Sequence, residues 1–141
     1  MDGEKRYRIT KRSSELVGRV SGANQGELLA NSAFALFDLI TDLDQVQVRE
    51  NLSLEVEGID ANDLLVNWIR ELLYLFQGSS YLLKEFEIRE AKDFFVCAEV
   101  RGEKFDPDRH EIQQDIRSVV YHQCRMTKTG SQWTAQLIFE I

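Results

Sequence analysis

The chain has 141 residues, of which 43% are hydrophobic, and its formal net charge at pH 7 is −7. The length and apolar content suit one hydrophobic core, so we expect a single domain over residues 1–141. The net negative charge argues against a protein that coats nucleic acid by itself, because binding to the phosphate backbone needs a basic surface. No segment approaches the ~20 apolar residues that span a bilayer, and the charged N-terminus lacks the apolar core of a secretory signal. We therefore expect a cytoplasmic protein without membrane contact.

A short strand is predicted at residues 7–10, within the most basic segment of the chain. Between residues 4 and 12 there are five basic residues and one acid, so this segment carries +4 and the rest of the chain −11. The segment either steers an RNA or an acidic partner surface, or is a solvated terminal strand. Its basic residues are Lys5, Arg6, Arg8, Lys11 and Arg12.

Two helices are predicted, and each is preceded by a polar residue that can cap its N-terminus. Asn24, followed three residues later by Glu27, has the form of a capping box. Asp60 is expected to cap the second helix, with Asp63 in its first turn. Gly78 is a natural stop for this helix. Apolar residues at helical spacing follow both caps, which predicts two amphipathic helices with buried stripes.

The remaining segments alternate between apolar and polar residues at a period of two, which is typical of half-buried strands. We find no internal repeat at a fixed period. Two early helices and late hairpins predict a two-layer α+β fold, with a mostly antiparallel sheet and two main helices packed on one face. The strands are expected at residues 52–56, 83–89, 94–101, 116–127 and from 133 to the end.

The sequence contains no phosphate-binding loop, nucleophile elbow or zinc-protease helix, which favours a protein without catalytic activity. Cys97 and Cys124 have no metal-binding spacing, so we expect buried thiols in a reducing compartment, with one disulfide as the alternative. His110 and His122 are the only histidines. We expect each to make an orienting hydrogen bond rather than to act in catalysis or metal ligation.

A polar stretch at residues 102–110 interrupts the predicted strands and contains three acids and a histidine. Acidic side chains at such a break could bind a divalent cation or a partner surface. In the structural alternative, Asp106 before Pro107 caps a short helical turn, and Glu103 and His110 are solvated.

Together these stretches resemble the archease family. The resemblance is carried by residues 35–43 in and after the first helix, by residues 63–76 in the second, by the Gly-Glu-x-Phe-Asp-x-x-x-His loop at 102–110, and by the Tyr-His pair at 121–122. It extends along the chain in order, up to the acid before the final aliphatic residue. The resemblance implies a compact α+β domain with an inserted strand-helix-strand-strand unit.

The resemblance implies a function exerted through a partner. Archeases are cofactors of GTP-dependent RNA ligases of the RtcB family, which act in tRNA splicing and RNA repair. They promote guanylylation of the ligase and allow it to turn over repeatedly, so contact with RNA would be indirect. Archease-like proteins are also linked to chaperoning a tRNA methyltransferase. The candidate partner-binding residues are Lys11, Arg12, Glu103, Asp106 and His110.

The acidic metal site of the family is altered in this chain. Archeases usually carry His-Thr-Ala-Asp after the first strand, and its Asp works with an Asp near the C-terminus. This chain has Arg-Ser-Ser-Glu ending at Glu15, and Glu140 followed by Ile141. Since calcium accepts either carboxylate, the resemblance implies a calcium site formed by Glu15, Glu140 and Ile141.

Two alternatives to this calcium site remain open. The cations Lys11 and Arg12 would repel a divalent ion and pair with Glu15, which would leave a divergent interaction module or chaperone without a metal. A metal-dependent hydrolase that uses the same acids is the third hypothesis, and it lacks an identifiable nucleophile or base.

Overall fold

The computed structural model describes residues 6–141, so Lys5 of the predicted basic segment lies outside the described residues. Neither of the two long helices in this range is both long and apolar enough to cross a membrane. The described chain forms the strands β1 (Tyr7–Arg12), β2 (Glu15–Gly22), β3 (Glu50–Glu57), β4 (Tyr81–Lys92), β5 (Phe95–Lys104), β6 (Ser118–Val119), β7 (Arg125–Thr129) and β8 (Gln132–Glu140), the helices α1 (Gln25–Ile40) and α2 (Ala61–Ser79), and the short 3-10 helices Leu43–Gln45 and Tyr121–Gln123.

The strands form two antiparallel sheets. In the five-stranded sheet, β1, β2 and β8 lie side by side, and β6 and β7 share the remaining edge of β8. In the three-stranded sheet, β5 lies between β3 and β4. The predicted α+β class, with antiparallel strands and two main helices, is confirmed. The sequence predicts one sheet, and the structure shows that the strands divide into two.

The three-stranded sheet and α2 come from one continuous segment of the chain. In this segment β3, α2, β4 and β5 follow one another, which is the strand-helix-strand-strand unit that the resemblance implies. Helix α1 contacts β4 of this unit and also β2 and β8 of the five-stranded sheet, and α2 contacts strands of both sheets. Between the helices, buried Trp68 donates its ring N–H to the carbonyl of Leu29 at 2.9 Å. The helices and their shared core therefore hold the two sheets together.

Both predicted helix caps are confirmed, and the two helices begin in the same way. The side chain of Asn24 accepts from the N–H of Glu27 at 2.8 Å, and the Glu27 carboxylate accepts from the residue before the cap at 2.7 Å. Asp60 and Asp63 repeat this capping box at α2, at 2.8 and 2.9 Å. At the other end, α2 continues past the predicted stop at Gly78, and Ser80 forms its left-handed cap.

Two predicted strand regions differ from the structure. Strand β2 is not predicted because Gly18 and Gly22 occupy positions on its inner side and weaken the apolar alternation. The predicted strand at residues 116–127 is broken by a 3-10 turn, because Tyr121 leaves the sheet and its hydroxyl reaches Asp63 on α2 at 2.5 Å.

The two cysteines lie in different environments. Cys97 is half-buried in β5, whereas Cys124 is buried before β7, and both are free thiols, so the alternative of a disulfide is not realised. The Cys124 thiol donates to the carbonyl of Val120 at 3.2 Å, and burial raises its pKa.

Candidate functional site

The two acids from opposite ends of the chain lie side by side in the five-stranded sheet. Strands β2 and β8 pair in register, and Glu15 is directly opposite Glu140. Directly opposed residues of an antiparallel pair share a face of the sheet, with Cβ atoms about 4.5–5.5 Å apart. We call the group formed by Glu15, Glu140 and Ile141 the acidic end.

Each group of the acidic end already has a neighbour that fixes its position. Arg12 donates to the Glu15 carboxylate at 3.3 Å across the β1–β2 turn, and the Ser118 hydroxyl donates to Glu140 at 2.5 Å. The N–H of Ile141 donates to a carbonyl in the β1–β2 turn at 3.0 Å. The ends of β2 and β8 therefore present two glutamates together with one guanidinium.

The acidic end fits a calcium ion poorly. Calcium takes about 6–8 oxygen ligands in proteins, from several carboxylates, carbonyls and waters. Within residues 6–141, no group of three or more His, Cys, Asp or Glu side chains is arranged to hold a metal. At the acidic end, one of the two side-chain carboxylates is already paired with Arg12. Calcium binding by Glu15, Glu140 and Ile141 stays a prediction.

The loop after β5 is built around the buried carboxylate of Glu103, which is 3% exposed. Arg109 donates to both of its oxygens, at 3.1 and 2.5 Å, and the N–H of Gln47 donates at 2.7 Å. His110 Nε2 lies 3.0 Å away, and Arg49 Nε lies 3.3 Å away. Hydrogen bonds from Arg109 foremost, and from Gln47 and His110, lower the pKa of Glu103 to about 2. The carboxylate is therefore ionised at neutral pH, although it is buried.

His110 has an orienting role in the same loop. Its Nδ1 accepts from the N–H of Asp106 at 2.9 Å, so its Nε2 carries the proton that is directed at Glu103. The Asp106 carboxylate accepts from the N–H of Asp108 at 3.0 Å and caps the turn, as predicted. The structural alternative is wrong where it leaves Glu103 and His110 solvated, because both are buried and make hydrogen bonds to other groups of the protein.

The five candidate partner-binding residues differ in accessibility. Lys11 and Arg12 are exposed on β1, and Asp106 is half-exposed, whereas Glu103 and His110 are buried. The buried pair can support a partner surface only by holding the loop in place. Direct contact of any of these residues with a partner stays a prediction.

Sequence reasoning missed a polar contact between α2 and the segment that joins β6 and β7. The hydroxyl of Tyr121 donates to Asp63, and the guanidinium of Arg70 lies 5.4 Å from the centre of the Tyr121 ring. The hydrogen bond lowers the pKa of Asp63 and raises that of Tyr121. His122 contacts the edge of the Tyr121 ring. The Tyr-His pair thus ties this segment to the helix.

Comparisons with known proteins agree with this architecture. The sequence profile of the Archease protein family matches residues 7–141. The protein archease of Methanopyrus kandleri is 35% identical over 126 residues, which cover 87% of this chain and 90% of that protein. The protein archease of Pyrococcus abyssi is 30% identical over 141 residues, which cover 97% and 99%.

Solved structures share the fold. The solution structure of Methanobacterium thermoautotrophicum protein 1598 aligns with a TM-score of 0.85 at 22% identity, over 98% of this chain and 100% of that one. The crystal structure of a Thermotoga maritima archease, described as a possible chaperone, aligns with a TM-score of 0.62 at 12% identity, over 95% and 96%.

We predict that Glu103→Gln lowers stability in a pH-dependent way. The pKa of Glu103 is about 2, below the ordinary value of 4.5, so its ionised form stabilises the folded state above about pH 4.5. This contribution is lost as the pH falls towards 2. At pH 7 the variant should be less stable by about 1.5–3 kcal/mol, the range for a hydrogen bond to a charged group.

Urea denaturation at a series of pH values measures this difference, which should shrink below about pH 4.5. Glu71→Gln, at an exposed position of α2, is the matched control and should change stability little at any pH. A Glu103→Gln deficit that is constant from pH 7 to the acid limit would contradict the assignment.

Proposed function

The chain belongs to the archease family, and from this we propose that it is a protein cofactor of an RNA ligase of the RtcB family. In this role it promotes guanylylation of the ligase and sustains its turnover in tRNA splicing or RNA repair, without catalysing a reaction itself. The match over residues 7–141 supports the proposal. The direct pairing of Glu15 with Glu140 is the observation that links this proposal to particular residues.

The acidic end is suited to contact a partner because its carboxylates are held at fixed positions. Glu140 lies between β2 and β6, where its carbonyl accepts from the N–H of Arg117 at 2.8 Å. Groups on strands are placed more precisely than groups on loops, so little order must be gained when a partner binds. Negative charge in this place would complement a cationic surface on a partner.

A second candidate function is an interaction module without a metal, such as a chaperone for an RNA-modifying enzyme like a tRNA methyltransferase. The ion pair between Arg12 and Glu15 favours this candidate, because the guanidinium takes the place that a cation would occupy. In this version Arg12, which is opposite Glu15, contributes positive charge beside the acids, so the partner contacts a surface with charges of both signs. Lys11 is opposite Leu16 and lies on the other face of the sheet.

We predict that this protein accelerates guanylylation of its cognate ligase and that Glu140→Ala weakens the effect. Removal of an interface interaction that contributes about 1.4 kcal/mol corresponds to a tenfold decrease in affinity, so the variant should require about tenfold more protein for half-maximal stimulation. Transfer of labelled GMP to the ligase measures this. Glu71→Ala serves as the control at an exposed position away from the acidic end. Absence of any stimulation by the wild-type protein would refute the proposal.

Calcium titration followed by calorimetry separates the two candidate functions. If Glu15, Glu140 and Ile141 hold the cation, the wild-type protein should bind calcium with a millimolar or tighter Kd that Glu15→Ala abolishes. Arg12→Ser should strengthen binding, because it frees the Glu15 carboxylate. If neither the wild-type protein nor Arg12→Ser shows a saturable heat of binding of either sign, the acidic end functions without calcium and the second candidate is favoured.

A further inference from the structure

The outer face of the five-stranded sheet, which points away from the main core, carries a row of basic side chains. The strand register places Arg8 opposite Arg19, Arg19 opposite Gln136, and Gln136 opposite Arg125. Directly opposed residues share a face, so the four side chains form one row across β1, β2, β8 and β7. With about 4.8 Å between strands, the row extends over about 14 Å. We call it the arginine row.

The arginines of this row have no ionic partners in the described chain. All three are exposed, and within residues 6–141 none of them lies within ion-pairing distance of a carboxylate. In the three-stranded sheet, by contrast, the arginines are paired with glutamates. There Arg101 pairs with Glu85 and Glu87 at 3.7 and 2.5 Å, and Arg89 pairs with Glu99 at 3.8 Å. A chain with an excess of acids thus leaves these particular guanidinium groups unneutralised.

The arrangement of the row does not stabilise the folded sheet. Arg8 and Arg19 are like charges in directly opposed positions, which destabilise an antiparallel strand pair. The nearest glutamate to Arg19 along β2 is Glu15, which is four residues and therefore about 13 Å away from it. This separation exceeds the Debye length of about 8 Å at physiological salt, so the acidic end does not cancel the charge of the row.

The surroundings of the row match a phosphate ligand better than a protein surface. The row lines an open concavity of about 1230 Å³. Hydroxyl groups of Ser21, Thr134 and Thr127 form the adjacent row, and Gln136 donates to the carbonyl of Gln123 at 3.0 Å. Arginine, hydroxyl and amide groups are the usual contacts to nucleic-acid phosphates. The cores of protein interfaces are instead depleted in charge and rich in aromatic residues.

Exposed large apolar side chains of the described chain lie outside this concavity. They are Val48, Ile59, Tyr74 and Phe94. Tyr7 lines the concavity, but it is 6% exposed and its hydroxyl donates to Asp38, so it offers little ring surface on which a base could stack. Recognition would therefore depend on the backbone.

We propose that the arginine row binds the phosphate backbone of single-stranded RNA without regard to sequence. Each guanidinium can donate two parallel hydrogen bonds to one phosphate. The choice of RNA among polyanions rests on the proposed function, because the substrate of an RNA ligase supplies such strands. The contact with RNA is then direct, on the same face of the sheet as the acidic end.

Fluorescence anisotropy with a short labelled oligouridylate and the full chain tests the proposal. The variant carrying Arg8→Gln, Arg19→Gln and Arg125→Gln should bind at least tenfold more weakly at low salt. The slope of log K against log salt should become shallower by about 0.7 for each phosphate that the variant no longer neutralises. Thermal unfolding should show the variant at least as stable as the wild type, because a like-charge pair is removed.

Two single variants keep the test informative if the triple variant does not fold. Arg19→Gln should reduce the salt slope by about 0.7, whereas Arg101→Gln, which changes the net charge equally on the other sheet, should leave it unchanged. Equal reductions in both variants, or no binding by the wild-type protein, would overturn the proposal. Equal affinity for polyglutamate would also overturn it and would indicate an acidic protein partner.

Failure of the RNA-binding proposal can be distinguished from failure of the proposed role as a ligase cofactor. If the triple variant loses RNA binding as expected but wild-type protein does not stimulate the ligase, the RNA site stands and the cofactor role fails. If the wild-type protein stimulates the ligase but does not bind RNA, the cofactor role stands and the arginine row has no RNA ligand.

Discussion

The antiparallel pairing of β2 with β8 determines where the acidic end and the centre of the arginine row lie. Eight consecutive residue pairs, from Glu15–Glu140 to Gly22–Trp133, join the first third of the chain to its last strand. Because successive side chains alternate between faces, a slip of one residue would move Glu15 and Arg19 to the core side. Leu16, Val20 and Leu137 prevent this, since they are buried in the core. The packing of one face therefore positions the charges of the other.

The loop after β5 shows how a polar sequence motif can encode architecture. Glu103 collects donors from Arg109, His110 and the distant backbone of Gln47, which anchors the loop against the segment before β3. Buried carboxylates are tolerated only when such donors satisfy them. The motif that most resembles a ligand site is therefore the internal frame of the loop, and its accessible side is formed by Asp106 and its neighbours.

Local interactions were predictable from the sequence, and long-range ones were not. The sequence predicts Asn24 and Asp60 as caps because their partners lie three residues away. The sequence does not predict the burial of Glu103, which depends in part on a hydrogen bond from Gln47, 56 positions away in the chain. The acids of the acidic end were found through the family resemblance, but their pairing required the structure. The arginine row is invisible in the sequence, since only strand register brings Arg19 and Arg125 into line.

The central claim is that the outer face of the five-stranded sheet is the functional face. Hydrogen–deuterium exchange with and without the cognate ligase and its RNA tests this most directly, because strand edges and turns exchange readily. We predict slower exchange in β1, the β1–β2 turn and β7, with no change in β3, β4 and β5. Slower exchange confined to β3, β4 and β5 would contradict the claim.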